Sequence, residues 1–475
     1  MGTPSIGKNS FEKFKQQNYI ILLKIVEMQG TLRLLTGGAE MWNRRRLIVI
    51  SFDGLADQDF ETVSAMPAFG RLINRAAWHK SVESIYPSLT YPAHATIVTG
   101  RLPKDHGIVN NTLFQPGRPS PDWFWSRRYL MGDTLYDAAA RAGMRTAALL
   151  WPVTAGAGIH FNMPEVLANR PWKNQILVSL RSGSPGYQFE MNRRFGKLRH
   201  GTDQPALDHF THQALMATLE EKHPDLTLVH YTDLDSQRHD YGFNSKMAAE
   251  ALKRHDRRLG DILDWIENQP DREVYGVCVL GDHSSLDVER VVNLNPLFID
   301  RGLIQLDHKG RLKDYRALMK SADGSAYLYV KGPELEHVKA HVRKIVEDFA
   351  REEEAIEAIY HHREIVAFGA DPGAYLMLEA SKGYYFNDRL EATDPVEEIT
   401  DLTVRGEPFY HWNTHGFSPL KPKYNTVWIM AGDGIKSGEI TTPMSLLDEA
   451  PTFAGWLGVE LEGAVRGPLS CLESE

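Results

Sequence analysis

Two pairs of acidic and histidine residues stand at spacings that suit a bound metal ion. Asp235 and His239 are four residues apart in the segment DSQRH, so on a helix their side chains project from one face. Asp282 and His283 are adjacent and follow an apolar run directly. A carboxylate oxygen and an imidazole nitrogen are both ligands that Zn²⁺ accepts. Each pair by itself also fits a loop carboxylate beside a surface histidine, which is the commoner case.

Two further residues of the same chemical types lie far from these pairs in the sequence. Asp53 ends an apolar run and precedes Gly54, which permits a tight turn. His415 lies in the turn-like segment NTHGFSP. The alternative for Asp53 is a helix cap, and the alternative for His415 is a plain surface histidine. Both residues are therefore candidates for metal ligands, but neither is specific alone.

Thr90 is the candidate nucleophile, in the segment YPSLTYPAHATIVTG. Pro92 suits the first turn of a helix that we expect to run to about Thr99, which puts Thr90 near the helix N-terminus. Backbone N–H groups and the helix dipole favour a phosphate at such a position. The alternative is that Thr90 only caps the helix. A threonine hydroxyl also needs a metal or a base to act as a nucleophile.

The elements that must bring these residues together are predicted from nearly continuous apolar runs, which are typical of buried parallel strands. The runs are Leu47–Phe52, Thr146–Leu150, Leu226–Tyr231, Val274–Leu280 and Thr426–Met430. Helical patterns lie between or beside them, at Pro67–Ala77, Thr134–Ala142, His209–Lys222, Lys246–Glu267 and Leu335–Ala358. Strands that alternate with helices indicate an α/β fold with a doubly wound, mostly parallel sheet flanked by helices. Sites in such sheets lie at the carboxyl ends of the strands, where Asp53, Asp235 and Asp282 are expected to converge.

The alternation breaks between residues 298 and 410, where a charged helix is followed by a β-like stretch at Ala374–Phe386. We interpret residues 298–410 as an inserted α+β subdomain, and residues 44–297 and 411–475 as the catalytic core. Residues 1–43 are interpreted as an N-terminal extension. Met41 is an alternative start, because the preceding codons could include a ribosome-binding tract.

The composition limits the classes of function. The chain of 475 residues has a formal net charge of −9, which argues against a nucleic-acid polymer as partner, since phosphate backbones attract an excess of Lys and Arg. Its two cysteines cannot form a disulfide framework. Neither a convincing signal peptide nor a run of about eighteen apolar residues is found. We therefore expect a cytoplasmic protein with no membrane partner and a small phosphorylated substrate, for which a nucleotide is a candidate.

Taken in order, the motifs resemble one known family. The segments VISFDG, YPSLTYPAHATIVTGRLPKDHGIVNN, DSQRHDYG, LGDHSS and NTHGF are similar to those of the nucleotide pyrophosphatase/phosphodiesterase family, in the alkaline phosphatase superfamily. The resemblance covers roughly residues 47–111, 226–287 and 411–457, and the second motif is long and highly specific. It implies an alkaline phosphatase-like fold and a hydrolase of phosphodiester or pyrophosphate bonds.

The resemblance also implies a role for each matching residue. Thr90 corresponds to the nucleophile that forms a threonyl-phosphate intermediate, and Asn111 to the residue that contacts the phosphoryl oxygen. Two divalent ions are implied, with zinc expected and manganese or iron as alternatives. One ion would be held by Asp235, His239 and His415. The other would be held by Asp53, Asp282 and His283, with Thr90 as an additional ligand.

The residue types favour a diester over a monoester. Asn111 is a neutral donor, which suits the single negative charge of a diester better than the dianionic phosphoryl group of a monoester. Tyr91, next to Thr90, could offer its ring face to a nucleobase, and its alternative is local packing. Both residues are therefore predicted to bind substrate.

Other functions on the same fold remain alternatives. A phosphonoacetate hydrolase shares the threonine and both metal sites, and a phosphomonoesterase differs mainly in its cationic groups. A sulfatase would need Cys or Ser in a Cys/Ser-x-Pro-x-Arg frame, which the segment at Thr90 lacks. A metal-binding protein without catalysis would be expected to have lost part of the ligand set, whereas all six ligands and Thr90 are present.

Overall fold

The structure is a computed structural model that describes residues 44–118, 120–170, 172–392, 394–406 and 410–472. The N-terminal extension and the alternative start at Met41 lie outside these residues. From Arg46 onward the described chain forms one compact unit. None of its described helices combines the length and the apolar character needed to cross a bilayer.

Nineteen strands are assigned in the described residues. In chain order they are β1 (Arg46–Phe52), β2 (Ala77–Val82), β3 (Thr146–Leu149), β4 (Phe161–Met163), β5 (Leu226–Tyr231), β6 (Tyr275–Leu280), β7 (Leu286–Asp287), β8 (Arg290–Val292), β9 (Ile304–Leu306), β10 (Leu312–Tyr315), β11 (Ala317–Ala322), β12 (Ser325–Val330), β13 (Ile356–His361), β14 (Leu376–Ala380), β15 (Tyr384–Phe386), β16 (Val396–Glu398), β17 (Asn413–Thr414), β18 (Thr426–Ala431) and β19 (Gly438–Glu439).

Fifteen α-helices are assigned in the same residues. They are α1 (Phe60–Ser64), α2 (Pro67–Ile73), α3 (Thr90–Thr99), α4 (Pro103–His106), α5 (Leu135–Arg141), α6 (Gln175–Ser182), α7 (Pro185–Phe195), α8 (Ala206–Lys222), α9 (Asp233–Tyr241), α10 (Lys246–Glu267), α11 (Asn295–Asp300), α12 (Leu335–Glu353), α13 (His362–Phe368), α14 (Asp401–Gly406) and α15 (Glu449–Leu457).

Eight strands form the central sheet, in the order β19-β2-β18-β6-β1-β5-β3-β4. The neighbours β6, β1, β5, β3 and β4 are all parallel, as the continuous apolar runs predict. The prediction of a parallel strand at Thr426–Met430 is wrong, because β18 is antiparallel to both β6 and β2. Because β18 is antiparallel, it begins at the edge where the parallel strands end. The segment that precedes β18, which contains His415, therefore lies at that edge.

Helices cover both faces of the sheet, which makes it doubly wound. Along β1, Ile48, Ile50 and Phe52 face an apolar cluster with α2, α8 and α10. The alternate residues Leu47 and Val49 face a second cluster with α3, α5 and α15. Because both faces are buried, the strand has no polar alternation, which explains its sequence RLIVISF. The predicted fold class is confirmed.

Residues 298–410 contain a four-stranded antiparallel sheet in the order β11-β12-β14-β13, with α12 packed against it. The predicted helix Leu335–Ala358 is too long. It ends at Glu353 because Glu354 adopts a left-handed conformation (φ 54°), and Ile356–His361 is a strand. The apolar core of this region also includes Val288, Phe417 and Tyr424 from outside it. The subdomain boundaries at 298 and 410 stay predictions.

Gly281 lies where β6 leaves the sheet, and its neighbours leave no room for a side chain. A Cβ atom there would lie 2.1 Å from the Leu55 carbonyl oxygen and 2.1 Å from Thr426 Oγ1. These two atoms are themselves hydrogen-bonded at 2.7 Å. The close approach connects β1, β6 and β18 directly beside Asp282.

We predict that Gly281→Ala lowers the free energy of unfolding by about 3 kcal/mol, because backbone must move to relieve the contact. Gly260→Ala, inside α10, is the matched control. A Cβ atom there meets only Ala68 Cβ, at 3.6 Å, so this change should be neutral or slightly stabilising. Denaturant unfolding measures both variants, and wild-type stability of Gly281→Ala would contradict the prediction.

Candidate active site

Asp235 and His239 are brought together by α9, which follows β5 at the carboxyl edge of the sheet. Their i, i+4 spacing places His239 Nε2 3.2 Å from Asp235 Oδ2. His239 Nδ1 donates to the carbonyl of Asn413 at 2.7 Å, and this hydrogen bond leaves Nε2 as the free ligand atom. His415 follows two residues after Asn413, and the ligand atoms of Asp235, His239 and His415 lie within 4.8 Å of one another.

A second group is formed by Asp53, after β1, and by Asp282 and His283, after β6. Its ligand atoms also lie within 4.8 Å of one another. His283 Nε2 is 3.2 Å from Asp53 Oδ1, 3.3 Å from Asp282 Oδ2 and 3.1 Å from Thr90 Oγ1. One ring nitrogen cannot satisfy three oxygens, so these four atoms surround a position that a cation would fill.

The buried oxygens of this group support that assignment. Asp53 Oδ1 and Asp282 Oδ2 have no hydrogen-bond partner among the described residues, although both side chains are buried. Burying a carboxylate oxygen without a hydrogen bond costs more free energy than an ordinary packing contact contributes. The donor set of two carboxylates and an imidazole, with a hydroxyl beside them, therefore fits a divalent metal ion.

The two groups adjoin. The rings of His283 and His415 stack with their centroids 4.0 Å apart. Gly54, with a φ of +72°, turns the chain between the two groups. Its N–H donates to Asp282 Oδ1 at 3.1 Å. A Cβ atom on Gly54 would lie 3.5 Å from Asp235 Cβ, so the turn also contacts the other group. The arrangement can hold two cations side by side.

Burial and neighbouring charges raise the pKa values of some site residues and lower those of others. Burial, reinforced by the charges of Asp282 and Asp235, raises the pKa of Asp53 to about 7. Burial alone would lower the pKa of His239, but Asp235 raises it to about 9. Burial also lowers the pKa of His415, and the neighbouring His283 adds to the effect. This concentration of carboxylates in a buried space is electrostatically favourable only with positive charge among them.

Thr90 is the first residue of α3 rather than its cap. Leu89 is the N-cap residue and makes no side-chain hydrogen bond, so the Thr90 hydroxyl is not used for capping. The first-turn amide of Tyr91 donates to Asn111 Oδ1 at 2.9 Å. Because this oxygen is occupied, Asn111 Nδ2 is the group left to donate to a ligand, and Asn111 lines the same cavity as Thr90.

Aromatic residues border the cavity, whose volume is about 1740 Å³. The Tyr91 ring lies in its wall but is fully buried, in a cluster with Ala95, Ile108 and Phe124. Trp123 meets this ring edge to face at 5.2 Å and is 36% exposed. Trp123 therefore presents accessible aromatic surface beside Tyr91, and the sequence did not single it out.

His230 is a second residue that sequence reasoning missed. Its Nε2 donates to Asp53 Oδ2 at 3.0 Å, while its Nδ1 faces the Leu150 carbonyl at 3.2 Å and Glu165 Oε2 at 3.6 Å. Burial alone would lower the pKa of His230, but the carboxylates of Asp53 and Glu165 raise it well above its usual range. This contact fixes the orientation of Asp53. The available signal was one histidine inside the apolar run LTLVHY.

Arg238 connects the two ligand groups. It lies between Asp235 and His239 on α9 and is 1% exposed. Its guanidinium donates to the carbonyl oxygen of Gly54 and, at 2.6 Å, to Asp59 Oδ1. The helix that carries one pair of ligands is thus tied to the turn that follows Asp53.

The sequence is similar to a known family and to several known proteins. The family described as type I phosphodiesterase / nucleotide pyrophosphatase matches residues 47–416. The Homo sapiens ectonucleotide pyrophosphatase/phosphodiesterase family member 1 is 21% identical over 254 residues, which cover 50% of this chain and 23% of that protein. The venom phosphodiesterase of Macrovipera lebetinus is 23% identical over 249 residues, which cover 50% of this chain and 25% of that protein. The aligned segment is thus about a quarter of the length of these relatives.

Solved structures show the same fold over more of the chain. Murine ectonucleotide pyrophosphatase/phosphodiesterase 5 superposes with a TM-score of 0.59 at 18% identity, covering 90% of this chain and 98% of that one. An inactive form of the same murine protein, in complex with AMP, gives the same TM-score. The family match extends through Thr90 and all six candidate ligands, and the chain belongs to the type I phosphodiesterase/nucleotide pyrophosphatase family.

Proposed function

We propose that this protein hydrolyses phosphodiester or pyrophosphate bonds with two divalent metal ions and Thr90 as the nucleophile. The observation that carries the proposal is the position of Thr90 Oγ1, 3.1 Å from His283 Nε2, which also lies close to the two oxygens of Asp53 and Asp282 that accept no hydrogen bond within the described chain. A hydroxyl at a helix N-terminus, next to a ligand set of this kind, is where a phosphoryl group would be both bound and attacked.

The six ligating side chains divide into two sets. Asp235, His239 and His415 would hold one ion, and Asp53, Asp282 and His283, with Thr90 beside them, would hold the other. Zinc is the expected ion for this mixture of carboxylates and imidazoles, with manganese or iron as alternatives. When bound, the ions would lower the pKa of the Thr90 hydroxyl and neutralise charge on the phosphoryl group.

The remaining steps belong to residues of the chain. Thr90 Oγ1 attacks phosphorus in line with the leaving oxygen, so that a threonyl–phosphate bond forms as the substrate P–O bond breaks. Asn111 Nδ2 donates to a nonbridging oxygen as negative charge builds there. Attack of water on the threonyl phosphate then releases the second product and restores the Thr90 hydroxyl. His230 and Arg238 position Asp53 and α9 throughout.

A nucleotide is the substrate class that the surroundings support best. The neutral amide of Asn111 suits the single charge of a diester, and the exposed face of Trp123 offers a surface on which a flat group could stack. A structural relative in complex with AMP supports the same choice. Tyr91 would act from behind Trp123, because its own ring is buried.

We predict that Thr90→Ala lowers kcat/KM for bis-p-nitrophenyl phosphate by roughly 10³-fold or more, because no other hydroxyl replaces the nucleophile. Thr90→Ser should keep a measurable part of the activity. Thr99→Ala is the matched control, since it removes a hydroxyl that bonds the Ala95 carbonyl at the far end of the same helix. Mass spectrometry after acid quench should detect a Thr90 peptide that carries a p-nitrophenyl phosphoryl group, because only one nitrophenolate has left, and only in active forms. Wild-type turnover by Thr90→Ala would contradict the assignment.

We further predict that the metal-loaded protein prefers diesters. The ratio of kcat/KM for bis-p-nitrophenyl phosphate to that for p-nitrophenyl phosphate should be roughly tenfold or more, because a neutral donor compensates a dianionic phosphoryl group poorly. A reversed ratio would favour a phosphomonoesterase. Turnover of phosphonoacetate above both would favour a phosphonate hydrolase.

A further inference from the structure

A group of large apolar side chains is exposed on one segment of the chain. Six of the thirteen exposed large hydrophobic residues in the described chain lie within it: Leu167, Trp172, Ile176, Leu177, Phe189 and Leu198. Trp172 is 80% exposed and Phe189 is 64% exposed. We call this group, with the basic residues between its members, the α6–α7 surface.

Helix α6 shows most clearly that this surface lacks a partner within the described chain. Its sequence QILVSLRS carries four large apolar residues, yet none of its residues is buried. It packs against α7, whose own apolar residue Phe189 is also exposed. An eight-residue helix has little stability of its own in water, so exposed apolar residues of this kind indicate a binding surface.

The same surface is strongly basic. Between residues 165 and 200 there are seven Arg or Lys residues and two Glu residues, a net charge of +5 in a chain whose net charge is −9. Arg170 forms an ion pair with Asp122, and Arg194 forms ion pairs with Glu190 and Glu221. Four further basic residues are exposed and form no ion pair within the described part of the chain: Lys173, Arg181, Arg193 and Lys197. The surface would therefore attract an anionic partner.

We propose that the α6–α7 surface binds anionic phospholipid bilayers. The centre of a protein–protein interface is depleted of charged residues. Here, in contrast, Lys173 and Arg181 lie in the same exposed ten-residue segment as Trp172, Ile176 and Leu177. That mixture matches the boundary of a bilayer, where apolar side chains enter the acyl region and cationic groups stay among the phosphates. Tryptophan is favoured at this depth because its ring is amphipathic.

The proposal concerns a peripheral surface and departs from the sequence-based expectation of no membrane partner. That expectation rested on the lack of a long apolar run, which excludes only a spanning segment. Several residues of the surface, among them Ile176, Phe189 and Arg193, also line the cavity that contains Thr90. Adsorption to a bilayer would place this side of the cavity against the lipid, but binding itself requires neither metal nor catalysis.

The test is sedimentation of the full chain with vesicles of phosphatidylcholine alone and of phosphatidylcholine mixed with phosphatidylserine. The chain is expected to bind the mixed vesicles, and this binding should weaken at high salt. Binding should also shift the total tryptophan fluorescence of the chain to shorter wavelength, because Trp172 enters the bilayer boundary. The variant Lys173→Gln/Arg181→Gln/Arg193→Gln should lose roughly fivefold in partitioning for each charge removed. Trp172→Ser/Ile176→Ser should lose binding to the same vesicles.

Matched controls separate this surface from general adhesion. Lys309→Gln removes an exposed cation elsewhere, and Leu420→Ser removes an apolar residue that is 72% exposed, so both should bind like the wild type. Circular dichroism melting checks that each variant is folded. A chelator distinguishes binding at the α6–α7 surface from capture of phospholipid in the active site. Capture in the active site would require the metal ions, whereas binding at the surface should be unchanged when they are removed.

Three results would overturn the proposal. The first is that the chain binds both kinds of vesicle equally, or that it binds neither. The second is loss of binding on chelation, which would assign it to the active site while leaving the proposed hydrolysis intact. The third is a concentration-dependent dimer, seen by ultracentrifugation, that the surface variants abolish without vesicle binding by the wild type. That result would assign the surface to a second copy of the chain.

Discussion

Repulsion between buried carboxylates is the constraint on which the rest of the structure depends. Asp53 and Asp282 each have a buried oxygen near His283 that accepts no hydrogen bond within the described chain, and Asp235 lies close enough to raise the pKa of Asp53 further. Without positive charge this arrangement costs free energy, and a stable fold would be expected to avoid it. We infer that the chain tolerates it because divalent cations bind there, and the neighbouring hydroxyl of Thr90 then becomes reactive for the same electrostatic reason.

The fold meets this constraint with rigid elements rather than with loops alone. Three parallel strands end at one edge of the sheet, and the antiparallel strand β18 returns the segment of His415 to that edge. Close approach of backbone at Gly281 fixes where Asp282 leaves its strand. Arg238 then ties α9 to the turn after β1, and His230 on β5 bonds Asp53 after β1. Candidate ligands from four separate parts of the chain are thereby brought into two close groups.

Much of this could be predicted from sequence because it depends on local pattern. Continuous apolar runs predicted the five main strands, and the i, i+4 spacing predicted the pairing of Asp235 with His239. The direction of β18 could not be predicted, because strand polarity is set by connections across the sheet. His230, Arg238 and Trp123 were missed for a related reason: each acts through a contact more than thirty residues away or through its position in the cavity wall. The end of α12 was missed because the left-handed turn at Glu354 has no glycine to mark it.

The central claim is that six side chains hold two cations beside Thr90. Anomalous diffraction at the zinc edge, from crystals of the zinc-loaded protein, tests it most directly. The account predicts two peaks roughly 4 Å apart. One should lie among Asp235, His239 and His415, and the other among Asp53, Asp282 and His283, within bonding distance of Thr90 Oγ1. A single peak, or peaks remote from Asp53 and Asp282, would contradict it.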